Sequence, residues 1–354
     1  MRDFLLFLLL VVVVAALVAV GVVYYQVHLA RSPMERAGGD GSVEVDFEVK
    51  PGESTADVAR HLAEAGLIRS PGLFQLWARF RQMDSRLEAG WYRLRSDMSM
   101  NEILERLVLP PENRDKTFTI IEGLRLEEVA GSLEAQGIVP AEDFLGALQK
   151  PYAFDFLADR PEGTSLEGYL FPDTYRVPPD ITATGVVETM LENFGRKVTP
   201  EMWEQARARG MTLYEVLTLA SIVEREAVLD RERPIIASVY LNRLGKGMLL
   251  QADPTVQYGL GYDAEHHTWW PDLSEFARLG VSSLAEIDHP YNTYRYPGLP
   301  PGPICNPGLA SIRAVLEPAE TDYFFFVAKN DGSNEHAFAR TLEEHIANIQ
   351  RYQR

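Results

Sequence analysis

The chain has 354 residues, with 34 Lys and Arg against 51 Asp and Glu and a formal charge of −17. A carboxylate excess of this size excludes the basic surface that nucleic-acid proteins use, so nucleic acid is not an expected partner. Hydrophobic residues make up 46% of the chain, enough for two or three domains with buried cores. The single cysteine, Cys305, excludes an intrachain disulfide and a cysteine-based metal cluster.

In chain order, Phe4 to Tyr25 carries no charged residue, long enough as a helix to cross about 30 Å of hydrocarbon. The run is longer than the apolar core of a signal peptide and ends in Tyr24-Tyr25 rather than at a small-residue cleavage site. It predicts a retained transmembrane anchor over residues 1–28, followed by a Gly-rich polar linker over 29–42. Arg2 is offset by Asp3 while Arg31 and Arg36 follow the run, so charge alone does not orient it.

Residues 43–112 predict a small α+β module. Val43, Val45, Phe47 and Val49 alternate with Glu44, Asp46, Glu48 and Lys50, the period of a half-buried strand. Pro51-Gly52 turns the chain, and Ser54 or Thr55 caps a helix carrying Val58, Ala59 and Leu62 on one face and ending at Gly66. A helix around Phe74 to Phe80, an extended Ala89 to Leu94 and a helix near Met100 to Leu107 complete the unit. The pattern recurs: Phe47, Gly52, Val58, Ala59, Leu62 and Gly66 are matched by Phe118, Gly123, Val129, Ala130, Leu133 and Gly137, each 71 positions further on. Such a strand and two-helix unit resembles a LysM-like fold, a class that holds glycans.

Residues 113–354, with a core from about 160, predict a mixed helical and β catalytic region. Trp, Tyr, Pro and Gly crowd its loops from Gly163 to Pro179 and from Tyr258 to Pro307, a composition suited to a carbohydrate cleft because sugar rings stack on aromatics. There is no nucleophile elbow, phosphate loop or zinc helix, and adjacent His266-His267 lack a second pair at ligand spacing. No metal or cofactor is expected.

Leu213 to Ala227 is apolar all round, the pattern of a buried helix, and carries Glu224 and Glu226 at its end. A carboxyl there loses solvation and can hold its proton near neutral pH, as glycosidic cleavage requires. Periodicity does not choose between the two, and both can instead pair with Arg225, Arg231 or Arg233.

Ala220-Ser-Ile-Val-Glu-Arg-Glu-Ala227 resembles the signature of the YceG-like (MltG) endolytic transglycosylases. So do Glu167-Gly-Tyr-Leu-Phe-Pro-Asp-Thr-Tyr175, Ser238-Val-Tyr-Leu-Asn-Arg-Leu244, Gln251-Ala-Asp-Pro-Thr-Val256, Tyr291-Asn-Thr-Tyr294, Gly298-Leu-Pro-Pro-Gly-Pro-Ile304 with Asn306-Pro-Gly308, and His336-Ala-Phe338 with Glu344-His345. Ala227 and Ala252 depart mildly from the pattern. The resemblance implies a body outside the cytoplasm on a single-pass inner membrane anchor, with peptidoglycan glycan strands as substrate and wall-synthesis enzymes as neighbours. It further implies cleavage between N-acetylmuramic acid and N-acetylglucosamine to a 1,6-anhydro end, terminating strand elongation, with the second Glu of the signature, Glu226, as acid and then base. Gln251, Asp253, Asn292, Tyr294, Glu224 and Tyr175 are the expected groove residues. Asp173 and Asp253 are candidates for a second carboxylate, each beside a proline turn. A hydrolytic muramidase and a non-catalytic wall-binding scaffold are the rival readings.

Overall fold

The computed structural model describes residues 10–18, 20–21, 24–25, 28, 43–112, 114–274 and 282–353. The architecture is α+β, in two compact units, Met1–Arg114 and Asp115–Arg354. The predicted anchor is corrected: among the described residues no helix is long and apolar enough to cross a membrane. The single-pass inner-membrane localisation falls with it. Residues 1–9, 19, 22–23 and 26–27 of the predicted span and the linker 29–42 lie outside the described residues.

In the first unit, β1 (Glu44–Val49) pairs antiparallel with β2 (Gly90–Arg95), Phe47 facing Tyr92. Between them run α1 (Thr55–Glu64) and α2 (Pro71–Phe80), and α3 (Met100–Leu107) follows. Alternation directs Phe47 and Val49 inward, where they meet Val58, Leu62, Phe74, Leu94 and Leu104 in one core. Capping boxes start α1 at Ser54 with Asp57 and α3 at Ser99 with Glu102, each satisfying backbone donors that a helix start leaves free. The buried Tyr92 hydroxyl donates to Glu88 O at 2.8 Å, the carbonyl four residues before it.

The second unit begins with the same order of elements. β3 (Lys116–Thr119) pairs antiparallel with β4 (Thr174–Val177), and α4 (Leu126–Ala135) and α5 (Ala141–Ala147) lie between them in sequence. Phe118 faces Tyr175 as Phe47 faces Tyr92, and Tyr175 also donates to the carbonyl four residues earlier, Phe171 O. Gly52 and Gly123 sit at φ 83° and 81°, and Gly66 and Gly137 at 68° and 66°, left-handed conformations that glycine adopts without a Cβ penalty. The 71-residue sequence repeat is therefore also a repeat of a strand, two helices and a returning strand.

After β4 come α6 (Ala183–Lys197), α7 (Pro200–Ala208), α8 (Leu213–Glu226), α9 (Arg233–Gly245), α10 (Asp253–Leu260) and α11 (Leu309–Leu316). The hairpin of β5 (Phe325–Ala328) and β6 (His336–Ala339) and the helix α12 (Leu342–Tyr352) close the unit. The all-round apolar character of α8 has a direct cause: α7, α9, α10 and α11 all pack on it. Every residue from Leu213 to Val223 except Glu215 is buried. Glu215 instead closes a capping box with Thr212, worth about 1 kcal/mol. Ala227 turns to an extended ψ of 122°, so Glu226 is the last helical residue.

Candidate active site

Glu226 leaves the buried helix α8 where the chain turns away. Protein crowds its carboxyl, yet part of the residue stays accessible to solvent. The Tyr240 hydroxyl on α9 donates to Glu226 Oε1 at 2.7 Å. Desolvation is the largest influence on the carboxyl and raises its pKa from 4.5 to about 7, opposed by the Tyr240 hydrogen bond, supported by the charge of Asp253 and opposed by Arg243. The negative end of the α8 dipole works in the same direction as desolvation. The carboxyl can thus hold or release a proton near neutral pH.

Its supports are built into α9. Tyr240 and Arg243 are three residues apart and share one face of that helix. Tyr240 is buried, with Phe326 packed edge-on against its ring at 5.8 Å. Arg243 is 7% exposed, donates to Phe324 O and Leu250 O, both at 2.6 Å, and lies over the Phe325 ring. Neither residue was assigned a role from sequence. Their signal was a Tyr and an Arg at i, i+3 on a helix that buries Ile236, Ala237 and Val239.

Two loops bring up the opposite wall. Ala252 N donates to Thr293 Oγ1 at 3.0 Å, Gln251 N to Thr293 O at 3.1 Å, and Thr255 and Thr293 hydroxyls meet at 2.8 Å. This staple joins two segments forty residues apart in sequence. It holds Asp253, at the first turn of α10, against Tyr294, whose hydroxyl donates to its carboxylate. Asp253 and the exposed Gln251 present side chains to solvent, and Gln251 holds a φ of 50°, a strained conformation for a residue with a Cβ.

Three predicted groove residues are corrected. Glu224 has a 6% exposed side chain and is consumed by Arg233 at 3.1 Å, Gly308 N at 3.0 Å and Ser311 at 2.8 Å, so it anchors the start of α11. Asn292 is 1% exposed; its amide donates to Leu284 O and Ile287 O and its oxygen accepts from Tyr294 N, leaving nothing to offer a ligand. Tyr175 is buried between Phe118, Phe171 O and Asn193. Asp173, the other candidate second carboxylate, pairs with Lys197 at 2.9 Å and accepts from Asn193. The Lys197 hydrogen bond, chiefly, holds its pKa below the ordinary carboxylate range. Among the described residues no group of three or more His, Cys, Asp or Glu is placed to hold a metal.

A desolvated carboxylic acid backed by a phenol and faced by a second carboxylate defines a general acid/base site. The YceG-like family profile matches residues 47–351, and the chain belongs to the YceG-like family. A Bacillus subtilis (strain 168) protein named endolytic murein transglycosylase is 32% identical over 335 residues, covering 91% of this chain and 88% of that protein. A Streptococcus pneumoniae (serotype 2, strain D39) protein of the same name is 29% identical over 86% of this chain, which spans 58% of that longer protein. The crystal structure of a YceG-like protein from Listeria monocytogenes aligns with a TM-score of 0.55 at 29% identity, covering 86% of this chain and 98% of that one.

Proposed function

We propose that this chain is an endolytic lytic transglycosylase of peptidoglycan, with Glu226 as its single acid/base catalyst. The observation that carries the reading is the Glu226 carboxyl, poised near neutral pH at the end of a buried helix and oriented by Tyr240 at 2.7 Å. Protonated Glu226 donates to the glycosidic oxygen as the bond from C1 of N-acetylmuramic acid to that oxygen breaks, releasing N-acetylglucosamine with a free 4-hydroxyl. The resulting carboxylate then takes the proton of the muramoyl 6-hydroxyl as that oxygen bonds to C1, giving the 1,6-anhydro ring and restoring the acid. The nucleophile belongs to the substrate, so no second protein carboxylate has to attack.

Gln251, Asp253 and Tyr294 line the glycan groove in this reading, and the negative charge of Asp253 favours the positive charge that builds at C1. The strand, two-helix, strand fold of the first unit supports a LysM-like module that holds glycan. Cuts within nascent strands would end their elongation, beside the enzymes that make them.

Mass spectrometry of products from uncrosslinked glycan strands tests the proposal, with the full chain beside Glu226→Gln. Anhydro-muramoyl ends that vanish in the variant support it. Reducing ends would instead mean a hydrolytic muramidase, and no cleavage by folded protein would mean a wall-binding scaffold.

A further inference from the structure

Arg225 sits next to Glu226 on the last turn of α8 but, about 100° further round the helix, is exposed rather than packed in the core. Its guanidinium lies over the Trp270 ring, 3.8 Å from the centroid. Trp270 is pinned in turn, its indole N–H donating to Glu128 at 3.0 Å and its backbone N–H to Thr268 at 3.1 Å. The other face of the arginine lies along Gly123, where an added Cβ would come within 3.4 Å of Nη1.

In a chain of net charge −17, an exposed arginine ordinarily finds a carboxylate. Among the described residues Arg225 makes no ion pair and no hydrogen bond. Three nearby carboxylates are engaged elsewhere: Glu224 with Arg233 and Ser311, Glu128 with Trp270 and Arg125 N, and Glu226 with Tyr240. The stack fixes the plane of the guanidinium while no described residue occupies its N–H edge, the arrangement that suits bidentate recognition of a planar anion.

We propose that Arg225 on Trp270 is a substrate subsite that takes a carboxylate of the stem peptide carried by the muramoyl residue at the scissile bond. The inference rests on the transglycosylase reading for the identity of the anion: while the muramoyl lactyl carboxyl is held in its amide to the stem peptide the sugars of the strand are neutral, and the stem peptide supplies the carboxylates. This cation and the acid that cuts the strand are consecutive residues of one helix. The enzyme therefore selects strands whose muramoyl residues present a stem-peptide carboxylate over strands in which that charge is absent.

Two measurements test this with the full chain. Cleavage of uncrosslinked strands with stem peptides is compared with cleavage of the same strands after an amidase has removed them and the freed lactyl carboxyls have been capped as methylamides. The wild type should favour the peptide-bearing strand, and Arg225→Gln should lower that ratio of kcat/KM by about tenfold or more, the scale of one charge-assisted bidentate contact. A wild-type ratio near one, or a ratio that Arg225→Gln leaves unchanged while both rates fall together, would overturn the subsite. Calorimetric titration with free stem pentapeptide reads the subsite without catalysis: binding weakened about tenfold in Arg225→Gln supports it, and equal or absent binding sinks it. If the peptide result holds while neither strand is cut, the failure belongs to the catalytic reading alone.

Discussion

The Tyr240 hydroxyl donates a 2.7 Å hydrogen bond to Glu226 Oε1 from a ring buried in α9 and braced by Phe326. The phenol both aims the carboxyl and tempers the rise in its pKa, since this bond opposes desolvation.

Tyr240→Phe is expected to slow cleavage about tenfold or more through lost orientation and to move the alkaline limb of the pH profile upward. Loss of a bond that lowers the Glu226 pKa leaves it above its present value of about 7, so the acid form persists to higher pH. A pH–kcat profile that drops in height without shifting would show that Tyr240 does not act through the proton on Glu226.

Glu226→Gln should abolish anhydro-end formation by about 10²–10⁴-fold while stabilising the fold at alkaline pH. The folded carboxyl keeps its proton up to about pH 7, whereas an unfolded one loses it near 4.5. Stability from the retained proton is fully present below the lower value and is lost as pH rises through the upper one. The rise from 4.5 to about 7 corresponds to about 3 kcal/mol, which glutamine does not forfeit. Thermal unfolding at about pH 4 and about pH 8 checks this: a Tm gain confined to the higher pH is expected, and an equal Tm at both pH values would contradict it.

Glu224→Ala should act on stability. It takes from Arg233, 7% exposed, its buried carboxylate, leaving only the exposed Asp230 at 3.1 Å, and removes the acceptor for Gly308 N and Ser311. Breaking such a buried pair costs about 3–5 kcal/mol. Urea denaturation would measure the loss; a variant as stable as the wild type would disprove the anchoring role.

Asn306 ties three segments together, accepting from Gly168 N at 3.0 Å and Leu170 N at 2.9 Å while its amide reaches Leu124 O and Glu167. Glu167 is itself buried, and desolvation above all raises its pKa to about 8, so it carries its proton at neutral pH. Asn306→Ala leaves several of these groups unsatisfied at about 1–3 kcal/mol each, and calorimetry should show a large fall in Tm. A fall of only a degree or two would mean that water replaces the amide.

Local periodicity carried much of this protein. Alternation in Val43 to Lys50 marked β1, the recurrence of Phe, Gly, Val and Leu marked two copies of one unit, and the apolar run from Leu213 marked the central helix, because burial of one face or of every face imposes its own period on the chain. The same periodicity left Glu224 and Glu226 equivalent. Tertiary structure separated them, since Gly308 and Ser311 arrive more than eighty residues later to consume Glu224, while Tyr240 comes from the next helix to Glu226. Asn292 and Tyr175 read as groove residues for a related reason: a polar side chain outside a strongly periodic segment looks the same in sequence whether it faces a ligand or satisfies a buried backbone carbonyl. Only packing decides that direction, and here it turned both inward. The staple of Thr255 and Thr293, the brace of Arg243 and the stack of Arg225 on Trp270 each join residues on different elements, where no local pattern records that they meet.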